Sequence, residues 1–227
     1  MYSNGRILLD WGVSSLATMP YNPSDCTSWG NEAAWREAPL HRAYSSHTIS
    51  YSGDSTVDTV KNLVSSGTPV NFAIDASQYS SGFSDGNFII SSSEYSSSSI
   101  NHAQTVVGYD DSVTDDGDVG AFKVVNSWGS SWADGGYYWL TYDAFKEIGN
   151  LLCLIYLVDI QNHSPSIIAT WQFNQGPTRD LEFEVGIGSQ SSPAGKISPH
   201  YIKNSASCSW TFPVFMCLDL TLSLIHI

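Results

Sequence analysis

Two apolar strands within Ile100–Leu140 constrain the fold most, because each carries a polar residue at the same predicted end. The first strand, Asn101–Tyr109, opens on His102, and the second, Ala121–Val125, runs directly into Asn126. Since an acidic segment joins the strands, we expect an antiparallel pair that brings His102 and Asn126 side by side. An amide oxygen beside an imidazole fixes the ring's tautomer and orientation, as the third member of a nucleophilic site does.

Tryptophans and glycines follow the second strand in a characteristic order. Asn-Ser-Trp-Gly at 126–129 precedes Trp132 and a Gly-Tyr pair at 136–137. A buried His in an ordinary hairpin, the usual fate of a lone His, leaves these elements unexplained. The series resembles the His and Asn segments of papain-like cysteine peptidases, which carry Asn/Asp-His-Ala, Val-Gly-Tyr, Asn-Ser-Trp-Gly, a second Trp and Gly-Tyr.

The resemblance implies catalytic roles for residues of this stretch. In that family a Cys thiolate attacks the peptide carbonyl, and the His serves as acid and base. By position, His102 is the expected acid/base and Asn126 its orienter, while Trp128 shields their hydrogen bond and Trp132 supports that wall. The resemblance also implies a substrate pocket, which the two alanines would make roomy, lined by Ala73, Asn101 and Ala103. No metal and no cofactor is implied.

The nucleophile of this mechanism is not found in the sequence. The family places it in a Cys-Gly-Ser/Ala-Cys-Trp signature well before the His, and no such motif occurs here. Cys26, the only cysteine ahead of His102, matches a non-catalytic family Cys that follows a Tyr-Pro-Tyr-like step, here Met19-Pro20-Tyr21. Two interpretations stay open: an internal fragment of a cysteine endopeptidase, which is favoured, or a catalytically dead pseudoenzyme that binds peptides. Either way, the chain alone is predicted to be inactive.

The predicted fold class is α+β, with the C-terminal, β-barrel-like portion of a papain-like peptidase followed by an incomplete antiparallel β-sandwich. A helix over Val57–Ser66, with an N-cap within Asp54–Thr56, leads to a strand over Thr68–Ala76. The Ser-, Gly- and Tyr-rich segment Gln78–Ser99 is predicted to contain a short strand at Phe88–Ile90. Its serine runs Ser91–Ser93 and Ser96–Ser99 are predicted to be surface loop, and none of its serines lies in a serine-hydrolase elbow. Two further strands are expected at Tyr137–Thr141 and Leu151–Asp159, with a turn between them at Asp143–Glu147.

The predicted domain organisation has four parts. Residues 1–160 form the peptidase domain without its N-terminal catalytic helix, and residues 161–166 form a linker. Residues 167–216, with neighbouring strands at Ile167–Phe173 and Leu181–Ile187, form a partial sandwich similar to the P domain of proprotein convertases. That similarity implies contact with a surface or a glycan. Residues 217–227 resemble translated adapter sequence and are predicted to be a non-native tail.

Composition and charge exclude several function classes. Twenty-two acidic against 9 basic residues give a net charge of −13, which disfavours nucleic-acid binding. No apolar run approaches the roughly 18 residues of a membrane span. Five aspartates lie within Asp110–Asp118, but their spacing does not match a calcium loop, so a solvated acidic loop is expected.

Two broader expectations complete the sequence-based account. Resemblance to secreted multi-domain members places the protein outside the cell or in the cell envelope, although the N-terminus lacks a signal-peptide pattern. The partners are then peptide or protein substrates. A weaker alternative is carbohydrate binding through Trp171 and Trp210, although aromatic side chains more often pack in cores.

Overall fold

A computed structural model describes residues 2–22, 24–25, 28–172, 184–189, 191–198 and 213–221. The chain divides into two compact units. The first unit is Ser46–Val158, and the second combines Tyr2–Ser45 with Asp159–Ile227. Within the described part of the chain, no helix is both long and apolar enough to cross a bilayer.

A seven-stranded sheet is the largest element of the fold. Its strand order is β1-β7-β2-β4-β5-β6-β3, and β3 pairs parallel to β6 whereas β4 pairs antiparallel to both β2 and β5. Together with the helices it confirms the predicted α+β class; no pair closes the sheet into a barrel among the described strands. The strands are β1 Ala43–Thr48, β2 Val70–Ile74, β3 Ile89–Ile90, β4 His102–Asp115, β5 Asp118–Val125, β6 Tyr137–Thr141 and β7 Ile155–Asp159.

Five α-helices and three short 3₁₀ segments accompany these strands in the described residues. The predicted start of one helix is wrong by a turn: α3 begins at Asp54, after Gly53. The Thr56 hydroxyl, expected to help cap the helix, instead accepts the Ser52 N–H at 2.6 Å. The helices are α1 Tyr2–Asp10, α2 Glu32–Glu37, α3 Asp54–Ser65, α4 Tyr79–Gly82 and α5 Tyr142–Ile148, and the 3₁₀ segments are Ala38–Leu40, Ala76–Gln78 and Gly149–Leu152.

Helix α5 replaces the turn that was predicted at Asp143–Glu147. The hydroxyl of Thr141 accepts the Ala144 N–H at 3.1 Å and so caps the first turn. Ala144, Phe145 and Ile148 are buried at helical spacing against the sheet. A side-chain cap followed by this apolar spacing is a helix signal that the sequence interpretation overlooked.

One face of the sheet forms the core of the first unit. Alternate residues of each strand point to the same face, so every second position is buried there. Each fully buried large apolar side chain contributes about 1.5–3 kcal/mol to stability. These fully buried residues include Val70, Phe72, Ile74, Val106, Phe122, Val124, Tyr138 and Leu140.

The acidic segment is solvent-exposed over most of its length, as predicted, but it is a β-hairpin and not a loop. β4 continues to Asp115 and β5 starts at Asp118, so only Asp116 and Gly117 remain in the turn. Both have positive φ, 48° and 92°, which is the conformation that an Asp-Gly hairpin turn adopts. The carboxylate of Asp118 is buried and accepts the Thr141 hydroxyl at 2.7 Å.

In the first serine run, Ser91 and Ser92 are less exposed than the predicted surface loop, whereas Ser96, Ser98 and Ser99 are exposed and the predicted strand at Phe88–Ile90 is present as β3. Ser91 is fully buried, and its N–H donates to Glu94 Oε2 at 3.0 Å. Ser92 donates its N–H and its hydroxyl to the Asp118 carboxylate at 2.7 and 2.9 Å. Composition alone predicted exposure, but these serines satisfy buried carboxylates with hydrogen bonds.

The second unit contains two separate strand pairs. The predicted neighbours at Ile167–Phe173 and Leu181–Ile187 do not pair with each other, because β8 pairs with β11 and β9 with β10 in the described residues. Neither the sandwich nor the P-domain similarity is therefore confirmed. β11 includes residues 217–219 of the tail predicted to be non-native. The strands are β8 Ile168–Gln172, β9 Val185–Ser189, β10 Ser192–Ile197 and β11 Phe215–Asp219.

The interior of the second unit combines aromatic rings with a buried charge cluster. The Trp11 ring lies 5.4 Å from Trp35 and 6.3 Å from Trp171, so Trp171 packs in a core. Trp210, the other residue of the carbohydrate-binding alternative, lies outside the described residues. Asp219 accepts Arg42 Nη1 at 3.0 Å and contacts His163 Nε2 at 2.5 Å.

Candidate active site

The ends of two neighbouring strands bring an imidazole and a carboxamide together. His102 is the first residue of β4, and Asn126 follows the last residue of β5. Thr105 pairs with Val125 in the register of these strands, which sets both ends at the same edge of the sheet. His102 Nε2 lies 2.8 Å from Asn126 Oδ1. The strand pairing expected from the sequence is thus present.

The carboxamide of Asn126 is held in one orientation. Its backbone N–H donates to the Gly136 carbonyl at 3.0 Å, and its Oδ1 accepts the Ser127 N–H at 2.7 Å. Gly136 has a φ of +93°, and a Cβ there would lie 3.2 Å from the Gly129 carbonyl oxygen. This backbone conformation favours glycine and lets the carbonyl reach Asn126.

The orientation of Asn126 determines the tautomer of His102. Because Oδ1 already accepts the Ser127 N–H, it faces the imidazole as an acceptor, so Nε2 of His102 carries the donated proton. In the neutral ring Nδ1 then has a free lone pair. Among the described residues no hydrogen bond to Nδ1 is found. The arrangement leaves one ring nitrogen fixed and the other available for proton transfer.

Two tryptophans form a wall beside the imidazole. The Trp128 ring lies 5.0 Å from the His102 ring at 37°, and 48% of Trp128 is exposed. Trp132 packs edge-on against Trp128 at 5.4 Å. The Trp128 ring lies against the imidazole, and the Trp132 ring packs on Trp128; a cleft-supporting role of either residue remains a prediction. Shielding of the hydrogen bond remains a prediction.

Tyr79 was missed by the sequence interpretation, because it lies in the Ser-, Gly- and Tyr-rich segment Gln78–Ser99, for which only a short strand and surface serine runs were predicted. Its buried ring makes edge contacts with the rings of His102, Trp128 and Trp132, at 6.5, 5.4 and 5.1 Å. Tyr79 begins the short helix α4. An aromatic residue within a serine-rich run was the available signal, since such a residue in a polar segment often packs inward.

A buried hydrogen-bonded chain fixes Tyr79 from behind. Gln104 Nε2 donates to the Tyr79 hydroxyl, and the Tyr138 hydroxyl donates to Gln104 Oε1 at 2.5 Å. Burial raises the pKa of both Tyr79 and Tyr138, so both phenols are neutral. Every member is buried, and such a chain holds its members rigidly when each donor has an acceptor.

The predicted pocket residues divide into two kinds. Ala73 and Ala103 are cross-strand partners in the β2–β4 register, one position from the pair Ile74 and His102. Their role in a substrate pocket remains a prediction. Asn101 is engaged with the chain itself: its Nδ2 donates to Asp75 Oδ1 at 2.6 Å, and its Oδ1 accepts the Ala76 N–H at 2.9 Å.

Three carboxylates form a cluster away from these residues. Glu94, Asp115 and Asp116 each bring one oxygen to within 4.8 Å of the others. Burial raises the pKa of Glu94 and Asp115, with neighbouring acidic groups adding to the effect. Exposed acidic groups often cluster without an ion, so the cluster does not identify a metal site.

Comparisons with known proteins agree with this geometry. A family model described as papain family cysteine protease matches residues 6–153, a range that includes His102 and Asn126. The fold is similar to that of xylellain, a cysteine protease from Xylella fastidiosa, with a TM-score of 0.50 and 17% identity. The match covers 69% of this chain and 60% of xylellain, so the chain spans about three fifths of that protein.

Two other solved structures have lower TM-scores. Bromelain protease from Ananas comosus gives 0.45 at 22% identity, covering 65% of this chain and 63% of bromelain. Digestive procathepsin L 3 of the Tenebrio molitor larval midgut gives 0.46 at 25% identity, covering 65% and 44%. The search of curated proteins found no match.

Proposed function

Because the chain belongs to the papain family of cysteine proteases, we propose that it carries the acid/base half of a Cys-His-Asn endopeptidase site. The 2.8 Å contact between His102 Nε2 and Asn126 Oδ1 supports this proposal most directly. It leaves His102 Nδ1 as the nitrogen that exchanges protons during turnover. Family membership also supports peptides or proteins as substrates.

The proposed mechanism assigns one task to each side chain. His102 Nδ1 takes the proton of the attacking thiol, and the resulting imidazolium stabilises the thiolate. The thiolate attacks the peptide carbonyl, and Nδ1–H then protonates the leaving amine. Asn126 holds the ring through Nε2 in every protonation state. Trp128 lowers the local dielectric beside that bond, which strengthens it.

The nucleophile is proposed to lie outside these 227 residues. Cys26 and Cys208 lie outside the described residues. The two described cysteines, Cys153 and Cys217, offer no suitable thiol. Burial raises the pKa of the Cys217 thiol, which makes it a poor nucleophile. Cys153 follows a 3₁₀ segment with a φ of 49°, so it does not stand at the start of a helix, where the family places its nucleophile.

Sequencing the transcript across the Met1 codon tests this proposal. We expect the reading frame to continue upstream into a Gln and then a Cys-Gly-Ser/Ala-Cys-Trp motif. A start codon at Met1, supported by mapped transcript ends, would instead indicate a pseudoenzyme whose cleft binds peptides without cutting them.

The purified chain provides an independent test. Without the nucleophile it should not cleave a fluorogenic peptide in the presence of a reducing agent. Thiol-dependent cleavage that disappears in Cys26→Ala would contradict the assignment and make Cys26 the nucleophile. Cleavage that survives Cys26→Ala would point to a contaminating peptidase.

We further propose a location outside the cell or in the cell envelope. This proposal rests on the resemblance to secreted family members. Immunodetection in culture supernatant, envelope and interior fractions of the source cells tests it, and a signal confined to the interior would contradict it.

A further inference from the structure

We propose that Asp75 is a positioning residue, which acts through Asn101 to fix the start of β4 and hence the orientation of the His102 side chain. The inference deepens the proposed function and rests on it, since an acid/base needs a fixed direction to its substrate. Asp75 does not contact the imidazole. Instead it fixes the backbone of β4 at the position that bears the His102 side chain.

The carboxylate of Asp75 is buried and surrounded by neutral hydrogen-bond donors. It is 6% exposed, directly after β2. Its oxygens accept Asn101 Nδ2 at 2.6 Å, the Ser77 N–H at 3.0 Å and the hydroxyls of Ser97 and Ser99. No Lys, Arg or His pairs with it among the described residues. A buried carboxylate satisfied in this way holds its donors firmly, because hydrogen bonds to a charged group are the stronger ones.

Asn101 is the donor that links this carboxylate to the site. Three hydrogen bonds tie Asn101 to the end of β2: its Nδ2 to Asp75, its Oδ1 from the Ala76 N–H, and its backbone N–H to the Ile74 carbonyl at 3.1 Å. The next residue is His102, which stands opposite Ile74 in the β2–β4 register. The β4 backbone is therefore fixed at the position where the imidazole leaves it.

The two side chains are chemically complementary and cannot be exchanged singly. A carboxylate at 75 needs a donor at 101, and the carboxamide of Asn101 supplies one while it also accepts the Ala76 N–H. Two carboxamides would lose the charge of the bond. Two carboxylates would repel each other beside the buried position 75. A swap of both residues would not restore the bonds either, because Asp75 Oδ1 accepts both Asn101 Nδ2 and the Ser77 N–H, and the amide nitrogen of an Asn at 75 could donate to position 101 but could not accept from Ser77.

Nuclear magnetic resonance of His102 in the purified chain tests the inference. The ¹⁵N shifts of the ring report its tautomer, and the Nε2–H proton reports the bond to Asn126. We expect a dominant Nε2–H tautomer in the wild type. In Asp75→Asn and in Asn101→Asp, mixed tautomers and about tenfold faster exchange of this proton are expected, the scale of losing one hydrogen bond to a charged group.

The double variant Asp75→Asn with Asn101→Ala is the decisive one. If Asp75 acts through Asn101, Asp75→Asn should change the His102 tautomer and the exchange rate no further once Asn101 is already replaced by Ala, whereas independent losses of stability would add. Asp110→Asn is the matched control, because Asp110 is an exposed aspartate on β4, the strand that begins with His102. This control should leave the His102 signals unchanged.

Two outcomes would overturn the inference. One is a wild-type His102 signature in folded Asp75→Asn, and the other is a double variant in which the effects of Asp75→Asn and Asn101→Ala on the His102 signature add. Should Asp75→Asn fail to fold, Asn101→Ala removes the link at an exposed position and must produce the same loss. Turnover is not measured here, so a failed positioning role and a failed peptidase assignment remain distinguishable.

Discussion

At the scale of single residues, Tyr79 connects the buried polar chain to the rings around His102. Its hydroxyl accepts Gln104 Nε2, and its ring contacts those of His102 and Trp128. The hydroxyl therefore belongs to the buried hydrogen-bonded chain, and the ring packs against the residues of the candidate site. A substitution that removes only the hydroxyl should leave the ring contacts in place.

Tyr79→Phe separates these contributions. The variant leaves Gln104 Nε2 buried without its acceptor, so the free energy of unfolding should fall by about 1–3 kcal/mol. Urea denaturation measures this loss. Tyr109→Phe is the control, because Tyr109 is 37% exposed, and it should change the free energy of unfolding by less than about 0.5 kcal/mol. Equal values for the two variants would contradict the role of the buried chain.

The charge of Asp75 makes stability depend on pH. The hydroxyl of Ser97 lowers the pKa of Asp75, burial opposes it, and further bonds from Ser77 and Asn101 bring the pKa to about 2. The folded-state pKa is thus below the unfolded value of about 4. The carboxylate stabilises the fold above pH 4, and this contribution is lost as the pH falls towards 2.

Unfolding of wild type and Asp75→Asn between pH 7 and pH 2 measures that contribution. The wild type should lose about 2 kcal/mol more than the variant over this range, mostly between pH 4 and pH 2. Parallel curves would show that the Asp75 charge does not contribute.

At the scale of elements, Thr141 joins a strand end to a helix start. Its hydroxyl donates to Asp118 Oδ2 at 2.7 Å and accepts the Ala144 N–H at 3.1 Å. It therefore fixes α5 and the hairpin strand β5 together. Both bonds are buried, which makes their loss costly.

Thr141→Val keeps the shape of this side chain and removes both bonds. We expect the free energy of unfolding to fall by about 1–3 kcal/mol, from the lost helix cap and the lost hydrogen bond to the buried Asp118 carboxylate, which keeps only the bonds from Ser92. Thr141→Ser keeps the hydroxyl and is the control. If chemical denaturation places Val and Ser variants at the same stability, the cap has no such role.

Local pairing explains what the sequence could predict at this scale. His102 and Asn126 flank one hairpin, so strand alternation predicts that they lie at the same end of the sheet. Two register shifts between β4 and β5 then move Asn126 towards His102, and the sequence interpretation did not predict them. Tyr79 contacts the site by side-chain packing from the segment Gln78–Ser99, and Asp75, at the end of a predicted strand, is linked to it by hydrogen bonds. No periodicity marks such contacts, and the sequence interpretation did not find them.

At the scale of the whole molecule, long-range pairing limits prediction further. β8 pairs with β11, so Ile168 stands opposite Asp219 across about fifty intervening residues, and no local pattern selects that partner. The buried Asp219 also binds Arg42 and His163. Burial works to raise the pKa of Asp219, but bonds from His163, Thr221 and Arg42 outweigh it and lower the pKa. A residue in the presumed tail thus lies in the interior of the second unit.

The peptidase assay of the full protein, translated from its mapped transcript, tests the central claim most directly. His102→Ala should reduce kcat/KM by about a thousandfold or more, the scale of a lost general acid/base. Asn126→Ala should cause a smaller loss, because the ring remains but is no longer held. His41→Ala, an exposed histidine in the other unit, should retain wild-type activity. Wild-type turnover in His102→Ala would contradict the account.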